Sequence, residues 1–497
     1  MTEVAPDPNT SLLPASRIAQ SAAWAALGAM LRYAIAGLTT LILARLLTPR
    51  DIGLVAITLA AGELIAHVAV AGFHDAIIQR DRLLDDAYLD LAFWSVLVAA
   101  GGLALLVIAL AGPIAALFDQ SLLHPLLIAV ALAALLRAVG TVPRALLAQR
   151  LDFRTLALTR AVGMAIGGCV GVIVALSGGG AWSWVAHAAI VNGVGTLLAW
   201  RVAGWRPGLH FPRAYLPGPW KFALSVSLFT ILAYVISHAD DQLIGYRLGP
   251  RALGYYALAY SVMAWPVRDV LGGISVVLYP VLARYQEDRA RLRSTYLEST
   301  RLMTFFAFPI LTQIIVVGPV IVPWALGEQW TPIVLTMQIL ALNGLREAIV
   351  MLNGALFRAV GVPHLHALFE VCSAACYITA FAVGLEFGIE GVAFFFTLTG
   401  IILLPASLWL VLRTLRASVR RWFVTMFPGA VAACVMAIVS VVGEVLAAKA
   451  VGDVLAAWIA AFAGGGVYLA VLAALAPGSI RGVVRGVSGL RYSLCSG

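Results

Sequence analysis

Long apolar stretches separated by short polar loops recur along the chain from Ile18 to Ala476. A helix needs about 20 apolar residues to cross roughly 30 Å of hydrocarbon, and these stretches have that length. The alternating segments of about 10 residues that mark a membrane β-barrel are absent, which leaves helices as the way to satisfy the backbone in lipid. The pattern therefore predicts an all-α integral membrane protein with about 14 transmembrane helices. We place them at residues 17–46, 51–75, 86–112, 122–148, 155–177, 181–203, 219–248, 251–283, 294–324, 329–357, 363–385, 389–412, 420–446 and 453–475.

The composition agrees with a chain that is embedded in lipid. Of the 497 residues, 62% are hydrophobic and 11% are charged, whereas a soluble domain carries about a quarter charged residues. The mean hydropathy is +0.96. The first residues are acidic and lack the basic cluster of a secretory signal peptide, so we expect the first span to be retained.

Basic residues are distributed unequally between alternate loops. One set of loops contains most of them, and the other set contains Arg45, Arg50, Arg247, Arg251 and Lys449. An excess of basic residues marks the cytoplasmic face. An even number of spans then places both termini in the cytoplasm. This bias accounts for the formal net charge of +9, and no nucleic-acid partner is needed to explain it.

Two segments repeat one pattern at a distance of 201 residues. LTPRDIGLVAITLA at 47–60 aligns with LGPRALGYYALAYS at 248–261, and a weaker match aligns 144–158 with 354–368. Because a shift of six spans preserves membrane orientation, we predict two six-helix lobes in a parallel pseudo-twofold repeat, followed by two C-terminal helices. The alternative is that Pro and Gly here are ordinary loop punctuation.

The repeat also divides the chain into domains. We predict a cytoplasmic N-terminal tail, an N-lobe of spans 1–6, a cytoplasmic linker, a C-lobe of spans 7–12, two accessory spans and a cytoplasmic C-terminal tail. Their limits are residues 1–16, 17–203, 204–218, 219–412, 413–476 and 477–497.

Polar residues recur every three or four positions along several spans of both lobes, so they share one helical face. A charge near the bilayer centre costs from about 3 kcal/mol to several times that, so it faces water or a partner. Arginine presents a fork that matches phosphate and carboxylate oxygens, which favours an anionic ligand such as a pyrophosphate or an acidic sugar. The alternative is that each arginine pairs with a nearby carboxylate. We predict a cationic, substrate-binding cavity between the lobes, lined by Arg32, Arg137, Arg268, Arg346, Gln20, Trp24, Tyr234, Tyr260 and Asn343.

Acidic residues within the spans are candidates for coupling transport to an ion gradient. They are Glu63, Asp240, Asp241, Glu347 and Glu370. The adjacent carboxylates of Asp240 and Asp241 repel each other in a low dielectric, so they favour binding of a proton or Na⁺. The alternative is an ion pair with a neighbouring arginine. Coupling to Na⁺ or H⁺ is therefore a hypothesis, and the sequence shows no other cofactor and no metal-ligand spacing.

Motifs of catalysis are absent from the sequence. There is no GxxxxGKS or GxxxxGKT phosphate-binding loop, no HExxH and no GxSxG. No loop between the spans is long enough to form a soluble catalytic domain. We therefore predict a transporter and not an enzyme, with a membrane polysaccharide polymerase or ligase as the alternative.

Four motifs resemble a known family over about residues 15–415. They are LTPRDIGLVA, LGPRALGYYALAYS, VLYPVLARYQEDRARLRSTYLESTRL and GEQWTPIVLTMQILALNG. They are similar to the polysaccharide transporter family, the O-antigen and exopolysaccharide flippase branch of the multidrug/oligosaccharidyl-lipid/polysaccharide exporter superfamily.

The resemblance implies both a fold and a substrate. It implies two six-helix lobes around a cationic cavity in a bacterial inner membrane protein. It implies that an undecaprenyl-pyrophosphate-linked oligosaccharide is flipped from the cytoplasmic to the periplasmic leaflet by alternating access, for O-antigen or exopolysaccharide synthesis. Membrane lipids, a polysaccharide polymerase and glycosyltransferases are the implied partners. A lipid II-type exporter and a multidrug exporter of the same superfamily are the alternatives.

Overall fold

The computed structural model describes residues 15–70, 86–150, 152–208, 234 and 237–476, and the regular structure of these residues is entirely helical. The N-lobe consists of α1 (Ala15–Leu46), α2 (Pro49–Val70), α3 (Asp86–Leu117), α4 (Leu123–Val139), α5 (Thr141–Gln149), α6 (Phe153–Leu176) and α7 (Trp182–Ala203). The C-lobe consists of α8 (Ala239–Arg247), α9 (Gly249–Ala264), a π-helical turn (Trp265–Leu271), α10 (Gly272–Arg284), α11 (Arg289–Leu326), α12 (Ile333–Val350), α13 (Asn353–Ala359), α14 (Pro363–Gly384) and α15 (Gly388–Leu415). Two further helices follow, α16 (Val419–Val451) and α17 (Asp453–Leu475).

The helices coincide with the predicted spans to within a few residues at most ends. Among the described residues, ten helical segments are long and apolar enough to cross a membrane. The predicted all-α, multi-pass membrane fold is confirmed, and the count of fourteen spans stays a prediction. Most of the predicted N-terminal tail, the C-terminal tail, most of the linker, the end of the second span (71–75) and most of the seventh span lie outside the described residues. The last two residues of the predicted N-terminal tail, 15 and 16, belong to α1.

Three spans that hydrophobicity predicts as continuous helices are interrupted. The fourth breaks at Gly140, between α4 and α5, and the tenth breaks at 351–352, between α12 and α13. The two breaks occupy equivalent places in the two lobes. The eighth span contains the π-helical turn, which begins at Trp265 and Pro266. Proline has no N–H to donate to the preceding turn, and π-helical turns occur frequently at functional sites.

The two lobes meet where the repeated segments cross. α2 and α9 pack closely, and a Cβ atom added to Gly53 would lie 1.7 Å from the carbonyl oxygen of Pro250. A Cβ atom added to Gly254 would lie 1.7 Å from the carbonyl oxygen of Pro49. The contact is therefore reciprocal, as a pseudo-twofold repeat requires, and only glycine permits the backbones to approach this closely.

Hydrogen bonds between the lobes reinforce this crossing at one face of the protein. We call this face, formed by residues 44–51, 248–254 and 324–331, the closed face. The indole Nε1 of Trp330 donates to the carbonyl oxygen of Ala44 at 2.8 Å, and Gln329 Nε2 donates to the carbonyl oxygen of Leu47 at 3.2 Å. Arg45 donates to two carbonyl oxygens at the end of α11. The distribution of basic loop residues predicts that the closed face is periplasmic.

The last two helices pack against each other and against α11 of the C-lobe. Tyr468 donates to the carbonyl oxygen of Phe305 at 3.2 Å, and Gln313 Nε2 donates to Ser440 at 3.0 Å. These bonds attach α16 and α17 to the C-lobe.

Candidate functional site

Three adjoining cavities run from one lobe to the other. The N-lobe cavity, of about 200 Å³, includes Glu63 and Arg137 in its lining. The junction cavity, also of about 200 Å³, lies between α2 and α8–α9 and shares Glu63 with the first. The C-lobe chamber has about 700 Å³ and shares Asp240, Tyr260 and Arg268 with the junction cavity. Their shared lining residues show that the three cavities adjoin one another between the lobes.

Four arginines of the N-lobe form a group that we call the arginine cluster, namely Arg32, Arg137, Arg144 and Arg160. They belong to α1, α4, α5 and α6, respectively. At 1.5 Å per helical residue, Arg32 and Arg137 lie about 21 Å, and Arg160 about 24 Å, from the helix ends at the closed face. Arg160 lies within electrostatic range of Arg32 and Arg137, and Arg144 within range of Arg160 and Arg137.

The break in the fourth span arranges this cluster. Arg144 follows the break at Gly140, and its guanidinium reaches back to donate to the carbonyl oxygen of Arg137. It also donates to Thr196 Oγ1 at 3.2 Å, and Thr196 donates in turn to the carbonyl oxygen of Leu136 at 2.7 Å. These bonds fix the Arg144 guanidinium against the backbone at the end of α4, in the same turn as Arg137. Within the described part of the chain, none of the four forms an ion pair with a carboxylate.

The remaining N-lobe candidates lie near the start of α1. The ring of Trp24 lies under the Arg154 guanidinium, 5.3 Å from its centroid, which is a cation–π contact. Gln20 belongs to α1, and its side chain lies outside the described residues. Arg32 itself lies 4.9 Å from the ring centroid of Tyr33.

One chamber arginine of the C-lobe differs from the arginine cluster in that it has a carboxylate partner. Arg268, on the π-helical turn, lies 3.6 Å from the Glu347 carboxylate and 5.3 Å from the ring centroid of Tyr260. Arg346 lines the same chamber, and its Nε donates to Asn343 Oδ1 at 3.0 Å. Asn343 is completely buried, so it lies behind Arg346 and orients it.

The predicted ion-coupling residues divide between the junction and the chamber. Glu63, Asp240 and Asp241 all line the junction cavity. Asp240 is buried and accepts a hydrogen bond from the Tyr256 hydroxyl at 2.9 Å. Glu370 faces the chamber, 3.6 Å from the His366 ring nitrogen. No group of three or more His, Cys, Asp or Glu residues in the described ranges is arranged to hold a metal ion.

Tyr234 connects the two lobes at the junction. Its hydroxyl donates to the carbonyl oxygen of Ala60 at 2.8 Å, and its ring stacks on His238 at 4.1 Å. Tyr234 therefore crosses from the seventh span to α2, whereas Tyr260 lies in the wall between the junction cavity and the chamber.

The structure thus brings Arg268, Arg346, Tyr260 and Glu347 into one region and gathers Arg32 and Arg137 in another. Reasoning from the sequence did not single out Arg144 and Arg160, although both lie within predicted spans. One signal was available for Arg144, because it follows Arg137 by seven residues, which is about two helical turns.

The fold and the inter-lobe cavities define a two-lobed, helical membrane transporter. A family described as polysaccharide biosynthesis protein matches residues 42–335, which is more than half of the chain. The chain belongs to this family, which confirms the membership predicted from its motifs.

Two relatives with names span much of the chain. The lipopolysaccharide biosynthesis protein WzxC of Escherichia coli strain K12 is 25% identical over 408 residues, covering 81% of this chain and 82% of WzxC. The succinoglycan biosynthesis transport protein ExoT of Rhizobium meliloti strain 1021 is 25% identical over 322 residues, covering 65% of each chain. The first name associates its protein with lipopolysaccharide biosynthesis, and the second with transport in succinoglycan biosynthesis.

Two solved structures share the fold. The lipid II flippase MurJ in an inward closed conformation has a TM-score of 0.69 at 14% identity, covering 92% of this chain and 99% of that one. An inward-facing multidrug resistance transporter of the MATE family, in the MOP superfamily, has a TM-score of 0.63 at 15% identity, covering 78% and 98%. The predicted fold class, two lobes with two further helices, is confirmed by these similarities.

Proposed function

We propose that this protein flips an undecaprenyl-pyrophosphate-linked oligosaccharide from the cytoplasmic to the periplasmic leaflet, for the synthesis of an O-antigen or exopolysaccharide. The observation that carries the proposal is the arginine cluster, none of whose members forms an ion pair with a carboxylate within the described part of the chain. Membership of a polysaccharide biosynthesis family supports a sugar-lipid as the cargo. A multidrug exporter with cationic substrates is disfavoured by a cluster of four arginines of which Arg137 lines the N-lobe cavity.

The geometry supports alternating access as the mechanism. The closed face seals the inter-lobe cavities on one side by the crossing of α2 and α9, where no side chain separates the backbones at Gly53 and Gly254. The arginine cluster lies about 21–24 Å deeper, and it would receive the anionic head from the cytoplasmic side. Rocking of the lobes about the junction would then separate α2 from α9 and release the head to the periplasm.

We further propose that the protein lies in the bacterial inner membrane with both termini cytoplasmic, beside a polysaccharide polymerase and glycosyltransferases of the same pathway. Glu63, Asp240 and Asp241 are the proposed sites of Na⁺ or H⁺ coupling, because they share the junction cavity that must reshape during the lobe motion. In liposomes with an imposed gradient, the coupling ion should accelerate flipping. Equal rates with and without both gradients would contradict coupling.

The test of the main proposal is flipping by the purified full chain in liposomes. The substrate is a fluorescent farnesyl pyrophosphate that carries N-acetylglucosamine, and an impermeant quencher reports the leaflet. The rate of flipping with the wild-type protein should exceed that of protein-free liposomes by at least about tenfold. The double variant Arg137→Gln/Arg160→Gln should lose most of this increase in rate. Arg291→Gln is the matched control, because Arg291 lies at the exposed start of α11 and pairs with Asp288. Undiminished flipping by the double variant would overturn the assignment.

A further inference from the structure

We propose that the C-lobe chamber is a glycan subsite, which holds the first sugars of the cargo against an aromatic wall. The inference rests on the proposed function, in which the arginine cluster holds the pyrophosphate. It assigns the two parts of the cargo to different lobes: the charged group to the N-lobe and neutral, hydroxyl-rich pyranose rings to the C-lobe.

The aromatic wall consists of Tyr377 and Phe381 on α14 and Phe396 on α15. All three line the chamber, and their ring centroids lie 6.4 Å (Tyr377–Phe381), 5.2 Å (Tyr377–Phe396) and 5.5 Å (Phe381–Phe396) apart. A pyranose ring has an apolar C–H face that stacks on an aromatic ring, while its hydroxyls point outward around the edge. Aromatic rings contribute large apolar area in such a contact. A wall of this kind is a surface for sugar rings and offers nothing specific to a phosphate.

A sugar also needs hydrogen-bond partners for its hydroxyls, and charged side chains around the same chamber supply them. Glu370 has 60% of its side chain exposed, and Glu347 and Arg268 line the chamber as well. Carboxylates accept from hydroxyl donors and guanidinium groups donate to hydroxyl acceptors, and such charge-assisted bonds are stronger than neutral ones. Neighbouring hydroxyls of a sugar act both as donors and as acceptors, so a chamber that contains carboxylates and guanidinium groups can bond to both.

The charge balance separates this chamber from the arginine cluster. Arg268 pairs with Glu347, and Arg346 and Arg358 share the chamber lining with Asp240 and Glu370, so arginines and carboxylates line the chamber in equal number. A neutral ligand does not depend on an excess of positive charge for its binding, whereas a pyrophosphate would be repelled by the carboxylates of this chamber. The chamber's volume of about 700 Å³ lies within the range of about 300–1,000 Å³ typical of small-molecule sites. It has room for a short piece of glycan.

The position of the chamber allows both sites to be filled by one molecule. Asp240, Tyr260 and Arg268 form a common wall of the chamber and the junction cavity. Glu63 and Leu59 form a common wall of the junction cavity and the N-lobe cavity that Arg137 lines. A pyrophosphate on the N-lobe side can therefore continue into sugars on the C-lobe side.

The experiment measures binding of two probes to the full chain in nanodiscs. One probe is farnesyl pyrophosphate alone, and the other is the same lipid with one hexose, with glucose, galactose and N-acetylglucosamine tested in turn. At least one sugar should tighten wild-type binding by about tenfold. Tyr377→Leu and Phe396→Leu should reduce that gain to less than about threefold and leave the affinity for farnesyl pyrophosphate unchanged. The matched control is Phe394→Leu on the same helix, since Phe394 is 51% exposed and does not line the chamber.

The results separate the two proposals. Wild-type protein that binds neither probe would contradict the proposed function. Wild-type protein that binds both probes equally, or chamber variants that keep the full gain from the sugar, would overturn the glycan subsite alone. Unchanged binding of farnesyl pyrophosphate shows that the variants have folded, so loss of the sugar gain supports the subsite.

Discussion

The N-lobe and the C-lobe share a backbone plan but differ in how their arginines are compensated. In the N-lobe, Arg32, Arg137, Arg144 and Arg160 gather without an ion pair to any described carboxylate. In the C-lobe, Arg268 pairs with Glu347 across the chamber wall. Shortly before the equivalent helix breaks, the N-lobe has Arg137, whereas the C-lobe has both Arg346 and Glu347. The C-lobe therefore places a carboxylate next to its arginine in the sequence, and the N-lobe does not.

This difference shows which features a duplicated fold keeps and which it is free to change. The crossing at Gly53 and Gly254 is reciprocal, because each lobe must pass equally close to the other. The helix breaks at Gly140 and at 351–352 are shared as well. The side chains that face the cavities have no such constraint. One lobe has thus become cationic and the other electrically balanced and aromatic.

The largest expected effect comes from making the N-lobe resemble the C-lobe. Arg137→Glu places a carboxylate among the other three arginines, where it pairs with them and repels an anionic ligand. Each lost charge-assisted bond is worth about 1.5–3 kcal/mol, so affinity for farnesyl pyrophosphate in nanodiscs should fall by about 100-fold. Arg137→Lys keeps the positive charge, and its affinity for farnesyl pyrophosphate should fall by less than about tenfold. An unchanged affinity of the Glu variant would show that the cluster does not bind the anion.

The second prediction concerns the contact at which the lobes are alike. Gly53→Ala and Gly254→Ala each add a methyl group that overlaps a carbonyl oxygen of the other lobe. Overpacking of this kind costs about 1–3 kcal/mol, so both variants should slow flipping in liposomes by about tenfold or more, and to the same degree. Gly101→Ala is the control, because nothing lies within 4 Å of its added methyl. Clearly unequal effects of the two variants would contradict a reciprocal crossing.

Most of the fold was predictable because each span carries its own signal. An apolar stretch such as 453–475 identifies its helix without reference to any other part of the chain, and α17 has these limits. The breaks at Gly140 and at 351–352 are marked only by local breakers, Gly140 and Pro143 at the first and Asn353 and Gly354 at the second. Hydrophobicity averaged over a whole span does not distinguish such a break from a continuous helix. Periodicity likewise placed Asn343 and Arg346 on one face of α12. It could not show that α15 packs against that face at Gly400, which leaves Asn343 buried behind Arg346.

The site was predictable only in part for a related reason. Charges in the middle of a span, such as Arg32 and Arg137, identify themselves by the cost of placing them in lipid. Arg144 and Arg160 lie nearer the ends of predicted spans, where a charge is ordinarily solvated, and the fold brings them back to the cluster. The pairing of Arg268 with Glu347 depends on the π-helical turn, which three-dimensional packing determines.

The third prediction tests the compensated pair of the C-lobe. Arg268→Gln removes the partner of Glu347, and Glu347→Gln removes the partner of Arg268, so each should lower the thermal stability of the purified protein. Interacting residues show coupling energies of about 0.5–3 kcal/mol in a double-mutant cycle, and this partly exposed pair should show about 1 kcal/mol. The double variant should thus lose less stability than the sum of the losses of the two single variants. The cycle of Arg137→Gln with Glu347→Gln, which combines residues of different lobes, should be additive. Strict additivity in the first cycle would mean that Glu347 does not neutralise the charge of Arg268, so that Arg268 would be as unpaired as the N-lobe arginines.

The smallest expected effect comes from the closed face, where the C-lobe alone supplies the indole that reaches the end of α1. Trp330→Phe keeps a buried ring but removes the Nε1–H donor and leaves the carbonyl oxygen of Ala44 without this partner. A neutral hydrogen bond contributes about 1 kcal/mol, so the closed arrangement should lose roughly fivefold in population relative to the open one. A cysteine introduced as Ala56→Cys, which lines the junction cavity, should then react up to about fivefold faster with an impermeant maleimide added from the periplasmic side. Trp458→Phe on α17, a partly exposed tryptophan, should leave the rate unchanged. If Trp330→Phe also leaves the labelling rate unchanged in a correctly folded protein, the hydrogen bond from Trp330 does not contribute to closure, and the crossing at Gly53 and Gly254 is sufficient for it. The difference between the lobes would then be confined to their cavities.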